Sequence, residues 1–151
     1  MVIPLRTVLL AALCVLAIAG CGRSATKKKP TVDVTFFQSP VAAPTIPTAG
    51  QAFTISWRVF DADYFPNRQV ADVAWTVSRD GVANFATGVI PVIQSRQFVD
   101  LSFTDTQAAG THTYVFTVDP ANATREINEN NNSAVLTITV VAPPPPPTST
   151  G

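Results

Sequence analysis

Few side chains in this sequence are of a type that attacks, exchanges protons or holds a metal. There are two cysteines, Cys14 and Cys21, one histidine, His112, and ten acidic residues, including the groups Asp61, Asp63, Asp72 and Asp119, Glu126, Glu129. Nucleophilic catalysis needs a base beside its nucleophile, and His112 is the sole imidazole. Period two puts it in phase with Tyr114 and Phe116, so it is expected to cover one end of a core with its polar edge toward solvent. No Gly-x-Ser-x-Gly, His-Glu-x-x-His, Gly-rich phosphate loop or cysteine pair occurs. The carboxylates lie among Asn residues that keep them ionised, unlike a glycosidase acid raised by apolar surroundings. No enzyme is expected.

The acidic and aromatic loops have two readings each. Asp119, Asn122, Asn131 and Asn132 suit structural wiring, because Asp and Asn accept local backbone donors and tolerate left-handed backbone. The rival is calcium held by Asp119, Glu126 and Glu129, which are hard-oxygen ligands at a spacing unlike an EF-hand. Asp61, Asp63, Asn67 and Asp72 form a second acidic stretch, expected to be a solvated loop. Phe60, Tyr64 and Phe65 stand near it; their rings either pin the loop or stack on a sugar.

The lone thiol is the most specific chemical signal. After Arg6, the stretch Thr7 to Gly20 is uncharged and mostly apolar. As a helix it would cover about 21 Å, short of the ~30 Å hydrocarbon core, so an export signal over 1–20 is expected and not a permanent span. Ile18, Ala19, Gly20 and Cys21 resemble the lipobox of bacterial lipoproteins, which implies cleavage before Cys21 and a diacylglyceryl group on its sulfur. Cys14 would leave with the signal, so no intramolecular disulfide can form. The resemblance implies an exported chain anchored to a bacterial cell envelope by the lipid on Cys21. Gly22 in place of Asp leans toward the outer membrane where there is one.

The elements that must carry these residues follow from composition. The chain has 151 residues with equal numbers of acids and bases, but all five basic residues up to position 29 meet no acid, leaving −5 on the remainder. A body of that charge is a poor phosphate binder, so nucleic acid is not an expected partner; an unidentified protein or glycan is. Residues 21–29 read as a basic flexible tether, and 143–151, opening with five prolines, as a stiff polyproline tail.

Between them, 30–142 has the spacing of an all-β sandwich. Val32 to Phe37 opens it, and a Pro-rich passage through Pro40, Pro44 and Pro47 leads to Gly50. Phe53, Ile55, Trp57, Val59 and then Val73, Trp75, Val77 alternate with polar residues, the signature of strands with one buried face. Arg79, Asp80 and Gly81 mark a tight turn. Val99, Leu101, Phe103, then Tyr114, Phe116, Val118, then Leu136, Ile138, Val140 repeat the pattern.

The last third adds a family. Gly110 leading a strand, Asp119-Pro120, the loop Glu126-Ile-Asn-Glu-Asn-Asn-Asn132 and a terminal alternating strand resemble the cell-adhesion-related domain found in bacteria, CARDB. That resemblance implies an immunoglobulin-like or fibronectin type III-like antiparallel β-sandwich of about seven strands, acting as an adhesive, interaction or spacer module without catalysis. A carbohydrate-binding module and an accessory lipoprotein of an envelope assembly are the alternatives.

Overall fold

The structure, a computed structural model, describes residues 32–63 and 65–148. Seven strands fill it: β1 (Val34–Ala43), β2 (Ala52–Asp61), β3 (Gln69–Arg79), β4 (Val82–Gln94), β5 (Phe98–Thr106), β6 (Gly110–Val118) and β7 (Ser133–Val140). They form two antiparallel sheets, β1-β2-β5 and β4-β3-β6-β7, packed as an immunoglobulin-like sandwich. The expected alternation holds where one face is buried. In β2, Phe53, Ile55, Trp57 and Val59 face Val73 and Val77 of β3, Tyr114, Phe116 and Val118 of β6 and Ile138 and Val140 of β7 in one core.

Aromatic rings fill the centre. Trp57 lies 5.0 Å from Phe116, 5.2 Å from Trp75 and 5.8 Å from Phe103, the Trp75 and Phe103 contacts being edge-on, as the ring quadrupole prefers. Trp75 finds room because β4 offers Gly88 opposite it; a Cβ there would lie 2.5 Å from the indole ring. The β3–β4 turn carries Asp80 at φ 50° and Gly81 at φ 81°, the two left-handed residues of a two-residue hairpin.

Two strands differ from the sequence expectation. β1 runs past Phe37 and through Pro40 to Ala43, with register shifts between Phe36 and Val41. β4, which the alternation did not mark, contains Pro91. Both are edge strands, the position where a residue without an N–H costs no ladder bond. The chain enters at a parallel bridge between Val32 and Glu126 and leaves at one between Thr48 and Val141.

Candidate functional site

Three features concentrate the polar and aromatic chemistry. The first is the outward face of β1-β2-β5. Arg58 and Phe60 occupy the outward phase of β2, and register sets Asp100 opposite Arg58 and Phe98 opposite Phe60. Phe37 of β1 joins them, with its ring 5.4 Å from Phe60 and 5.8 Å from Phe98, nearly parallel to the latter. Phe37 and Phe98 are 56% and 45% exposed. The Arg58 guanidinium lies 3.9 Å over the Phe98 ring and grips Asp100 through Nε at 2.6 Å and Nη2 at 3.1 Å. Beside this group a shallow hollow of about 160 Å³ is walled by Gln38, Val41, Ser56, Trp57, Arg58 and Asp100.

Phe60 therefore belongs to an aromatic cluster, but with other partners than expected. Phe65 is exposed, with Arg68 5.2 Å from its ring centroid, and Tyr64 lies outside the described residues. Phe37, Phe98 and the Arg58–Asp100 pair were not singled out in the sequence. The available signal was a large ring at an outward position of an alternating run, in phase with Asp100 and Ser102.

The second feature is the pole where β1 begins and β2 ends. Asp61 and Asp63 are 0% and 1% exposed, so the expected solvated loop is corrected for these two residues. Asp61 Oδ1 accepts the Asp63 N–H at 3.0 Å, and Asp63 Oδ1 accepts the Phe65 N–H at 2.9 Å. Burial, helped by repulsion from Asp63 and Asp33, pushes the Asp61 carboxyl up from its ordinary pKa. A cavity of about 510 Å³ at this pole is lined by Asp33, Phe60, Ala62, Asp63, Arg96 and Ile127. Asn67 and Asp72 are exposed and adopt left-handed backbone.

The third feature is the loop between β6 and β7. Asp119, with φ 45°, accepts the Ala123 N–H at 2.9 Å and the Thr124 N–H at 2.7 Å, one on each carboxylate oxygen. Glu126 accepts the Val34 N–H at 2.8 Å and the Asn132 amide at 3.2 Å, while its own N–H donates to Glu129 at 2.9 Å. Asn122 donates its backbone N–H to Asp119 O, and Asn131 ties the loop to β1 through Asp33 at 2.9 Å and Thr35 at 3.2 Å. Burial raises Glu126 to about 7, with Glu129 and Asp119 adding repulsion. Asp119, Glu126 and Glu129 thus hold backbone donors and do not converge on a cation. Among the described residues no three carboxylates, imidazoles or thiols stand at metal-ligand spacing.

His112 also differs from expectation, since neither nitrogen is left to solvent. Nδ1 lies 2.8 Å from Asp80 Oδ2 and Nε2 3.0 Å from Ala108 O. Two acceptors favour the doubly protonated ring, and the hydrogen bond to Asp80 raises its pKa while lowering that of the aspartate. Cys21 lies outside the described residues.

No protein-family model and no curated protein sequence matches the chain. Solved structures do. The crystal structure of the CARDB domain of a Pyrococcus furiosus protein, in complex with di-metal ions, is 21% identical with a TM-score of 0.66, over 75% of this chain and 96% of that one. Its solution structure gives 21% identity, a TM-score of 0.64 and coverage of 74% and 97%. A domain of a protein assigned to the cell surface in Methanosarcina acetivorans is 20% identical with a TM-score of 0.53, over 68% of this chain and 91% of that one. At these identities the likeness is one of architecture: the chain has the fold of CARDB domains.

Proposed function

We propose that the chain is a non-catalytic CARDB-type interaction module, held at the cell envelope by a lipid on Cys21. The observation that carries this reading is the outward cluster of Phe37, Phe60 and Phe98. An aromatic group on a sheet face, desolvated on contact, is what an interaction surface needs and what a merely soluble domain avoids. The fold shared with the P. furiosus domain and with the M. acetivorans domain supports the family reading and an extracytoplasmic setting. The partner is a protein or glycan; the Arg58–Asp100 pair and the polar hollow beside the rings favour a sugar, whose hydroxyls take paired donors and acceptors while its apolar face stacks. The module has no organic cofactor in this reading, and calcium is the one metal considered for it, since the P. furiosus domain was crystallised with di-metal ions.

Two measurements test it. Globomycin should leave the unprocessed precursor, and Cys21→Ser should release the chain from the membrane fraction; normal processing under globomycin would remove the anchor. A glycan array and adhesion to whole cells, run with the parent and with Phe37→Ser/Phe98→Ser, should lose signal in the double variant. Binding unchanged by that pair would move the contact surface elsewhere.

A further inference from the structure

We propose that the chain pairs with a second copy of itself through the outer edge of β7, the two strands running antiparallel about a two-fold axis at Leu136. The phase of the ladder shows which backbone groups are open. The Val118 N–H donates to Asn132 O at 2.9 Å, so 118 and 132 form a hydrogen-bonded pair, and by alternation Ala134, Leu136, Ile138 and Val140 turn their N–H and C=O groups toward β6. Ser133, Val135, Thr137 and Thr139 turn theirs to the outer edge, and all four residues are exposed. The next residue of that phase is engaged at either end. Val141 donates to Pro47 O at 2.9 Å and accepts from the Ala49 N–H at 2.8 Å, and Asn131 O accepts from the Thr35 hydroxyl at 3.2 Å. An open stretch of edge, from Ser133 to Thr139, thus lies between two closed ends.

The other sheet edges are guarded. β1 has Pro40 and two register shifts, β4 has Pro91, and β5 points Asp105 into the sandwich, all devices that keep an edge from pairing with another chain. β7 has no proline, no charge and no register shift. Its inward side is also incompletely covered: Ile138 and Val140, toward the end closed by Pro47 and Ala49, are buried, whereas Ala134 and Leu136 are only partly buried. A second β7 meets both conditions. Opposed residues must share a face of the sheet, and an axis at Leu136 sets Ser133 against Thr139 and Val135 against Thr137 of the second copy, with the two Leu136 side chains meeting on the inward side. The resulting pairs exchange about eight backbone hydrogen bonds and leave Asn131 and Val141 with their present partners. Charge selects the same partner. The chain beyond position 29 carries −5, so two copies repel over much of their surface, but the outward residues of β7 and those opposite them on β6, Thr113, Val115 and Thr117, are uncharged. The pairing uses up the open edge of both copies and so closes at two. The aromatic cluster lies on the other sheet, so this contact is separate from the proposed function and either can fail alone.

The test is sedimentation equilibrium of the full chain in density-matched detergent. The chain should pass from monomer to dimer as its concentration rises to about 1 mM. Thr137→Pro deletes an edge-facing N–H and no bond to β6, and it should weaken the dimer roughly tenfold or more, since one interchain bond goes from each copy. Phe37→Ser/Phe98→Ser should leave the dimer unchanged. If Thr137→Pro fails to fold, the register is read by cross-linking. Membranes that hold Val135→Cys and Thr137→Cys chains together should, on mild oxidation, yield a disulfide between positions 135 and 137, because the Cα separation of about 5.5 Å in such a pair is within a disulfide's reach. Either variant alone should yield far less. A folded chain that stays monomeric at about 1 mM would leave this edge to a foreign strand and overturn the inference. A dimer unmoved by Thr137→Pro, or one in which positions 135 and 137 do not cross-link, would also overturn it.

Discussion

Tyr114 of β6 donates a 2.7 Å hydrogen bond to Asp105 of β5, and so joins the two sheets through polar atoms inside the sandwich. Arg79 of β3 adds a second link at 3.0 Å, and the Thr106 N–H and Gln107 amide complete the shell around the carboxylate. Burial works to raise Asp105, yet these hydrogen bonds, with Tyr114 first, outweigh it and hold the group below its ordinary range. Burial and the same hydrogen bond push the Tyr114 hydroxyl up. No cysteine lies beyond Cys21, so this clasp ties the two sheets through polar atoms alone.

Removing the Tyr114 hydroxyl tests the clasp. Tyr114→Phe keeps the ring against Phe85 and Phe103 and deletes one bond to a charged acceptor. Urea denaturation should show a loss of roughly 1.5 to 3 kcal/mol with an unchanged m-value. A loss below about 0.5 kcal/mol would mean that the remaining donors satisfy Asp105 alone.

Stability should depend on pH with a definite sign. The folded pKa of Glu126, about 7, lies above its ordinary 4.5, and that of His112 lies above its ordinary 6.5. Both groups bind their proton more tightly when folded. Their contribution is complete below the unfolded pKa and is lost as pH rises through the folded one, so the melting temperature should fall between about pH 4.5 and 7 through Glu126 and further above pH 6.5 through His112. Asp80 and Asp105, lowered by their partners, act oppositely and lose their contribution as pH falls below the ordinary carboxylate range.

Glu126→Gln should flatten the part of that profile between pH 4.5 and about 7. Asn132 Oδ1 is buried without a donor, so a flipped Asn132 can accept from the new amide while the carbonyl oxygen of the substituted side chain still accepts from the Val34 N–H. Thermal melts at about pH 5 and about pH 7 should differ less in the variant than in the parent. An equal fall in both would assign the slope to His112.

Gly88→Ala probes space and not backbone strain. Its Cβ would fall 2.5 Å from Cζ2 of Trp75, so the indole must move off Trp57. Overpacking of this kind costs about 1 to 3 kcal/mol. Tryptophan fluorescence should shift along with the melting temperature, whereas Thr87→Ala, next door but exposed, should change neither.

How much of this could be read from the residues depended on which face each strand shows to water. β2, β3, β6 and β7 were legible because Trp57, Val77, Phe116 and Ile138 alternate with polar neighbours across one buried face. β4 was not, because Val82, Val89 and Val92 are exposed beside buried Ile90 and Ile93, and the apolar run loses its period. Pro40 hid the second half of β1 by resembling a strand breaker. Asp61 and Asp63 carry the residue types of a wet loop, and only their position at the end of β2 under the start of β1 reveals burial. The aromatic face escaped notice because cross-strand register, which brings Phe98 to Phe60, is not a local property of either strand.

The two parallel bridges have a mechanical consequence. Val32 enters beside the end of β2, where Val34 pairs with Asp61, and Val141 leaves beside Thr48, just before β2 begins. Entry and exit are thus at opposite poles, separated by the ten residues of β2, about 33 Å of strand. A pull applied between residues 32 and 141 would run along the strands and shear the β1–β2 ladder, whose bonds must break together. A domain strung this way resists tension far better than one unzipped from a single end.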